Sequence, residues 1–359
     1  MKKRFLITLL SVCFMAAAGC SLEQPAERSI GETVEVSKET EESVEETREK
    51  NTEEATEKNT EKAAEKNTEE WSANSLKKGL MTVIDHDKTY NASVSSEEDA
   101  RKVIASYGEM QRKKYDNPEV KEIEKKIETE FDIAAVTLGE MDIETANDVY
   151  KACQYVFNTY PELMGTLTDL TLGNIASNET ALTRTIEFVS NQNQIPYVIK
   201  REIILNANSF LVREKLLASC KYQEETGFWP KNADISMIVV HELGHHLLDN
   251  YIASECGFKG NYVTEDNYNN YMAYIEEQLA YKQSIAKQIM ANAYKKWCET
   301  NEGTEEEFRE SISGYALGKQ RDGGISYTET FAEAIADLYA NGENAAPASK
   351  LIVEEITQK

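Results

Sequence analysis

Beyond residue 75 the hydrophobic positions change their spacing several times, and the order of those changes predicts the elements. Ser95-Ser96-Glu97-Glu98 has the form of a capping box, and Val103, Ile104, Tyr107 and Met110 recur after it on one helical face. Asn117-Pro118 interrupts that helix, and Val120, Ile123 and Ile127 mark a second, short one. Over residues 142–159, Ile143, Ala146, Val149, Tyr150, Cys153, Val156 and Phe157 form an amphipathic helix that Pro161 stops. The pattern then turns to Thr and branched residues. Residues 166–172 and 180–189, on either side of Gly173-Asn174, predict an antiparallel pair of strands. Residues 201–206 (REIILN) predict a third strand, either an exposed edge open to strand addition or an interior strand. A helix with Leu211, Leu216 and Leu217 follows, then a loop at Gly227-Phe228-Trp229-Pro230. Residues 234–248 are densely apolar with Asp234 as N-cap, a buried helix. A long amphipathic run over 271–297 and an Ala-rich helix over 326–339, closed by Asn341-Gly342, follow. Strands grouped between runs of helices predict an α+β fold with a small sheet.

One of these helices carries chemistry. His241-Glu242-Leu243-Gly244-His245 places two imidazoles four residues apart, so both face the same way and can bind one Zn²⁺. Glu242 stands beside them as a base for metal-bound water. Three of the chain's four histidines lie in this segment. The remaining one of the three, His246, points elsewhere and suits a surface or supporting role better than a ligand's. A catalytic zinc site needs a third protein ligand and an open position. Glu329, Glu333 and Asp337 form one candidate source, a row of carboxylates at i, i+4 and i+8. Charge on so apolar a helix is costly to bury without a metal or histidine partner. Ala332, Ala334 and Ala336 beside them permit a close helix–helix approach. Glu276 and Glu277 in the long amphipathic run are the other candidate source.

Composition alters the picture mainly at the N-terminus. Lys2, Lys3 and Arg4 precede an apolar stretch over 5–18 that is too short to span a bilayer. It ends Ala17-Ala18-Gly19-Cys20, similar to the lipobox of bacterial lipoproteins, in which the cysteine is acylated and becomes the new N-terminus. Residues 1–20 are therefore expected to be a lipoprotein signal peptide, with the protein held on the outer face of the bacterial membrane through Cys20. Residues 21–74 are expected to be a disordered acidic linker, with the octapeptides EKNTEEAT, EKNTEKAA and EKNTEEWS from Glu49 onward. The chain's formal charge is −24; residues 21–72 account for −10, with 17 Glu against 7 Lys and Arg. The −17 on residues 73–359 argues against nucleic-acid binding through phosphate neutralisation. Export permits disulfides, but the spacing of Cys153, Cys220, Cys256 and Cys298 fits no zinc ribbon and fixes no pairing.

HELGHH, SISGYALG over 311–318 and ETFAEAIADLY over 329–339 together resemble the gluzincin metallopeptidases related to anthrax lethal factor, a group that includes the secreted Pro-Pro endopeptidases. The resemblance covers roughly residues 195–345. It implies a zincin-like domain over 163–359, preceded by a mainly helical region over 75–162. It further implies that His241, His245 and Glu329 are zinc ligands, that Glu242 is the base, and that Glu333 and Asp337 support the ligands from behind. Tyr315 takes the place of the tyrosine that donates to the oxyanion. Extra residues before Glu329, including Asp322-Gly323-Gly324, make Tyr327 the alternative donor. The function implied is a lipid-anchored, monomeric zinc metalloendopeptidase acting on extracellular proteins or peptides. Two alternatives remain. One is a surface lipoprotein that uses the zincin scaffold for binding. The other is a peptidase similar to the ImmA/IrrE type, which shares HELGHxxL, with Glu276 or Glu277 as third ligand.

Overall fold

The computed structural model describes residues 80–85, 88–93, 97–176, 179–189, 196–255, 271–320 and 323–357. The expected signal peptide with Cys20, the acidic linker, Ser95-Ser96, Cys256, and the side chains of Glu276 and Glu277 lie outside the described residues.

In chain order the elements are strands β1 (Leu80–Asp85) and β2 (Lys88–Ser93), helices α1 (Glu97–Arg112) and α2 (Pro118–Phe131), strand β3 (Ala135–Thr137), and helix α3 (Ile143–Thr159). Strands β4 (Asp169–Gly173), β5 (Ala181–Val189) and β6 (Pro196–Asn206) follow. The rest is helical: α4 (Ala207–Phe210), α5 (Arg213–Glu225), α6 (Ile235–Glu255), α7 (Tyr271–Trp297), α8 (Glu305–Glu310), α9 (Tyr327–Asn341) and α10 (Pro347–Thr357). The fold is α+β, as expected.

Side-chain caps set several helix starts. Asn117 accepts from Val120 N–H with Pro118 at the first position, Asp142 accepts from Thr145 N–H, and Asp234 accepts from Met237 N–H at 2.8 Å. Met110 is exposed, so the core-facing stripe of α1 ends before it. Leu211 and Leu217 are exposed as well, and only Leu216 of that trio is buried.

The sheet corrects the expected strand pairing. Its order is β3-β4-β6-β5, with β3, β4 and β6 parallel and β5 antiparallel to β6. Residues 166–172 and 180–189 are thus not partners, because β6 inserts between β4 and β5. The consecutive residues Glu202 to Asn206 are all buried, the mark of a strand covered on both faces. REIILN is therefore interior and not an edge; β5 is the outer strand on that side. β1 and β2 form a separate antiparallel hairpin.

Residues 75–162 and 163–359 meet in a shared core. β3 pairs with β4, α3 packs on α6, and one cluster of buried side chains runs from Val120 to Ile356. Helix α6 lies at its centre, against β5 on one side and α9 on the other. The approach of α6 to α9 is tight at Gly244, where an added Cβ would stand 3.1 Å from Ala332 Cα. The small residue at each position brings the two helices together where both carry polar groups. Cys153 and Cys220 are buried free thiols and Cys298 is an exposed one. Among the described residues, no helix is long and apolar enough to cross a membrane.

Candidate metal centre

The buried face between α6 and α9 brings together His241, His245 and Glu329, each at most 3% exposed. His241 Nε2 lies 3.2 Å from His245 Nε2. Glu329 Oε2 lies 3.4 Å from the first nitrogen and 3.5 Å from the second. A tetrahedral ion with ligand bonds of about 2.0–2.1 Å spaces its ligands about 3.3–3.4 Å apart. The triangle therefore has the size of one face of such a coordination shell. Glu329 Oε2 is buried and has no hydrogen-bond partner among the described residues. A buried carboxylate oxygen left in this way is costly, and a cation among the three atoms would satisfy it. The group can hold a metal ion. Gly318 makes the approach possible, since a Cβ there would meet Glu329 Cγ at 2.9 Å.

The surroundings hold the ligands in place. His241 Nδ1–H donates to Glu333 Oε1 at 2.7 Å, which fixes the tautomer that leaves Nε2 free for a metal. Ser313 Oγ–H donates to the other oxygen of Glu333 at 2.6 Å. Burial alone would push the His241 imidazolium down, but the Glu329 and Glu333 carboxylates outweigh it and raise it to about 10. Burial likewise pushes the Glu329 carboxyl up, and the His245 and His241 rings outweigh it and hold it at about 2.

Glu242 sits one residue beyond His241, wholly buried against β5. Thr183 Oγ lies 2.7 Å from Glu242 Oε2 and 2.9 Å from its carbonyl oxygen. Oε1 has no partner. Burial pushes this carboxyl above its ordinary range, which raises its affinity for a proton. Of the two tyrosines, Tyr315 stands at the group, its ring centroid 5.5 Å from that of His241 and 5.2 Å from that of Phe228. Tyr327 faces the Arg309 guanidinium on α8 instead.

Asp337 requires a correction. It is buried but supports no metal-facing residue. Its carboxylate accepts from Ala346 N–H at 2.8 Å, Ser349 Oγ–H at 2.6 Å and Asn341 Nδ2–H at 2.8 Å. Each step of four residues turns a helix by about 40° and advances it about 6 Å. Two such steps from Glu329 carry the side chain off the metal face and onto the start of α10.

His246 is buried, so of the surface and supporting roles expected for it the surface one falls away. Its Nε2–H points away from the other two histidines to Thr166 Oγ at 2.8 Å. Burial, reinforced by the Arg201 charge, pushes its pKa from 6.5 down to about 3. Below pH 6.5 the unfolded chain takes up a proton that the fold refuses. This stability is therefore complete above pH 6.5 and is lost as pH falls toward 3, at about 1.4 kcal/mol per unit. His246→Gln should flatten the acid limb: between pH 6.5 and 5, denaturant unfolding should show wild type losing about 2 kcal/mol more than the variant. Parallel curves would remove His246 as the cause.

The site residues that the sequence did not single out include Thr183 and Arg309. Arg309 Nη2–H donates to Ala316 O at 2.6 Å and its Nε–H to Thr330 Oγ at 2.8 Å, tying the Tyr315 turn to the start of α9. Neither belongs to a spacing pattern, so no local signal marks them. Compared with protein-family models, curated proteins and solved structures, the chain matches none of them.

Proposed function

We propose that the protein is a zinc metalloendopeptidase of gluzincin type, exported and held at the outer face of a bacterial membrane by an acylated Cys20. The observation that carries the reading is the juxtaposition of a buried His241–His245–Glu329 triangle with Glu242, whose Oε1 is unpartnered. Two imidazoles and one carboxylate suit zinc and leave a fourth position for substrate or water. A bound zinc ion supplies Lewis acidity at the scissile carbonyl and lowers the pKa of a coordinated water toward about 7. Glu242 Oε1 then accepts the proton of the attacking water and delivers it to the leaving amine. Thr183 keeps Oε2 engaged, so the other oxygen faces the reaction. The Tyr315 hydroxyl donates to the oxyanion that forms on the carbonyl. β5 carries Thr183 and is the outer strand of the sheet, so an extended peptide added along it would pass close to Glu242.

The charge of −24 agrees with a peptide substrate and disfavours nucleic acid. The test is direct. Full-length protein purified without added metal should contain about one zinc per chain. It should cleave a mixed peptide library at defined bonds, lose that activity to a chelator, and regain it with zinc. Zinc-loaded protein that leaves the library intact would favour the binding-scaffold alternative.

A further inference from the structure

The segment between α8 and α9 is held more tightly than a connecting turn requires, and its attachments converge on one hydroxyl. Gly314 N–H donates to Gly227 O at 2.9 Å and Tyr315 N–H to Phe228 O at 2.8 Å. Gly314 can lie there because it has no Cβ; one would meet Gly227 O at 3.2 Å. Ser313, only 4% exposed, stands at the inner end of this pairing. Its hydroxyl has one proton and two lone pairs. The proton goes to Glu333 Oε2 at 2.6 Å, and a lone pair accepts Ala316 N–H at 3.0 Å. Glu333 Oε1 meanwhile accepts from His241 Nδ1–H at 2.7 Å. Both oxygens of this buried carboxylate are thus engaged, and it cannot rotate without releasing one partner.

We propose that Ser313 is a positioning residue: through one hydroxyl it sets the Glu333 carboxylate that orients the ligand His241, and fixes the Tyr315 turn against the same ligand. The inference rests on the metallopeptidase reading above. A serine that merely shaped the turn would need only the bond from Ala316 N–H. The bond to Glu333 makes the ligand on α6 and the tyrosine turn parts of one connected unit: His241, Glu333, Ser313, Ala316.

Two consequences separate this role from a structural one. Losing the hydroxyl loosens His241, so zinc binding weakens by about 10-fold, the lower end of the range for groups that support a ligand. The loss passes through Glu333, so it vanishes once Glu333 can no longer act. The experiment measures zinc affinity by chelator competition on the full chain for wild type, Ser313→Ala, Glu333→Gln and the double variant. The expected result is about 10-fold weaker binding in Ser313→Ala, with the double variant no weaker than Glu333→Gln alone. In the peptide assay Ser313→Ala should lower kcat and leave KM unchanged, since no substrate contact is removed. If the alanine variant does not fold, the near-isosteric Ser313→Cys, whose thiol is a weak donor, makes the same comparison. Wild-type affinity in Ser313→Ala, or losses that add in the double variant, overturn the inference and leave the metallopeptidase reading intact. A wild-type chain that takes up no zinc overturns both.

Discussion

Glu242→Gln should remain folded, retain its zinc and hydrolyse peptides at least about 10³-fold more slowly, within the range attributed to a positioned general base. The substitution is nearly isosteric. An amide oxygen can still accept the Thr183 hydroxyl that now meets Oε2 at 2.7 Å. Its other atom then becomes an NH₂ where the unpartnered Oε1 stood, and that group can neither accept a proton from water nor pass one on. Burial, which pushes the Glu242 carboxyl up toward the pH range where bases work well, has no counterpart in the amide. Because Glu242 is not one of the three atoms of the triangle, metal content by mass spectrometry should equal that of wild type. A variant that holds zinc and cleaves at the wild-type rate would falsify the assignment of the base, whatever the metal does.

The second large effect concerns the metal itself. Glu329→Ala should weaken zinc binding by more than the 10–100-fold typical of groups that only support a ligand, because it removes a ligand. His241 and His245 would remain, two nitrogens on one helical turn, and the triangle would lose its one carboxylate. Chelator competition measures the loss. It also decides between the two sources that the sequence offers for the third ligand. A change smaller than 10-fold would transfer that role away from α9, with Glu276 and Glu277 on α7 as the remaining candidates.

How much of this the sequence reveals depends on the range over which the information acts. The pairing of His241 with His245 is a one-turn relation, so the spacing displays it directly. Glu333 is likewise legible, one turn from Glu329 on a helix too apolar to carry solvated charge. Asp337 extends the same row, but a row at i, i+4 and i+8 slowly winds around the helix, and by the third member it meets α10. The cap at Asp234 is local and legible for the same reason, whereas the caps at Asn117 and Asp142 emerge only in the structure. Strand order is not local. Nothing in residues 166–189 announces that a later strand will separate β4 from β5. β3 has three residues, too few for a period to show. Thr183 and Arg309 act by position in three dimensions, and a lone hydroxyl or guanidinium has no spacing to read.

The separation of the ligands along the chain has a thermodynamic consequence. His241 and His245 lie on α6 and Glu329 on α9, with α7 and α8 between them, so the triangle exists only after the chain has closed a long loop and α9 has docked at Gly244. The unfolded chain presents the two imidazoles without the third arm. An ion bound there would therefore distinguish folded from unfolded chain sharply, and mass action would turn that difference into stability: free metal at about a thousand times its Kd would add about 4 kcal/mol. On the proposed reading, a metal-poor medium would therefore weaken the fold as well as empty the site.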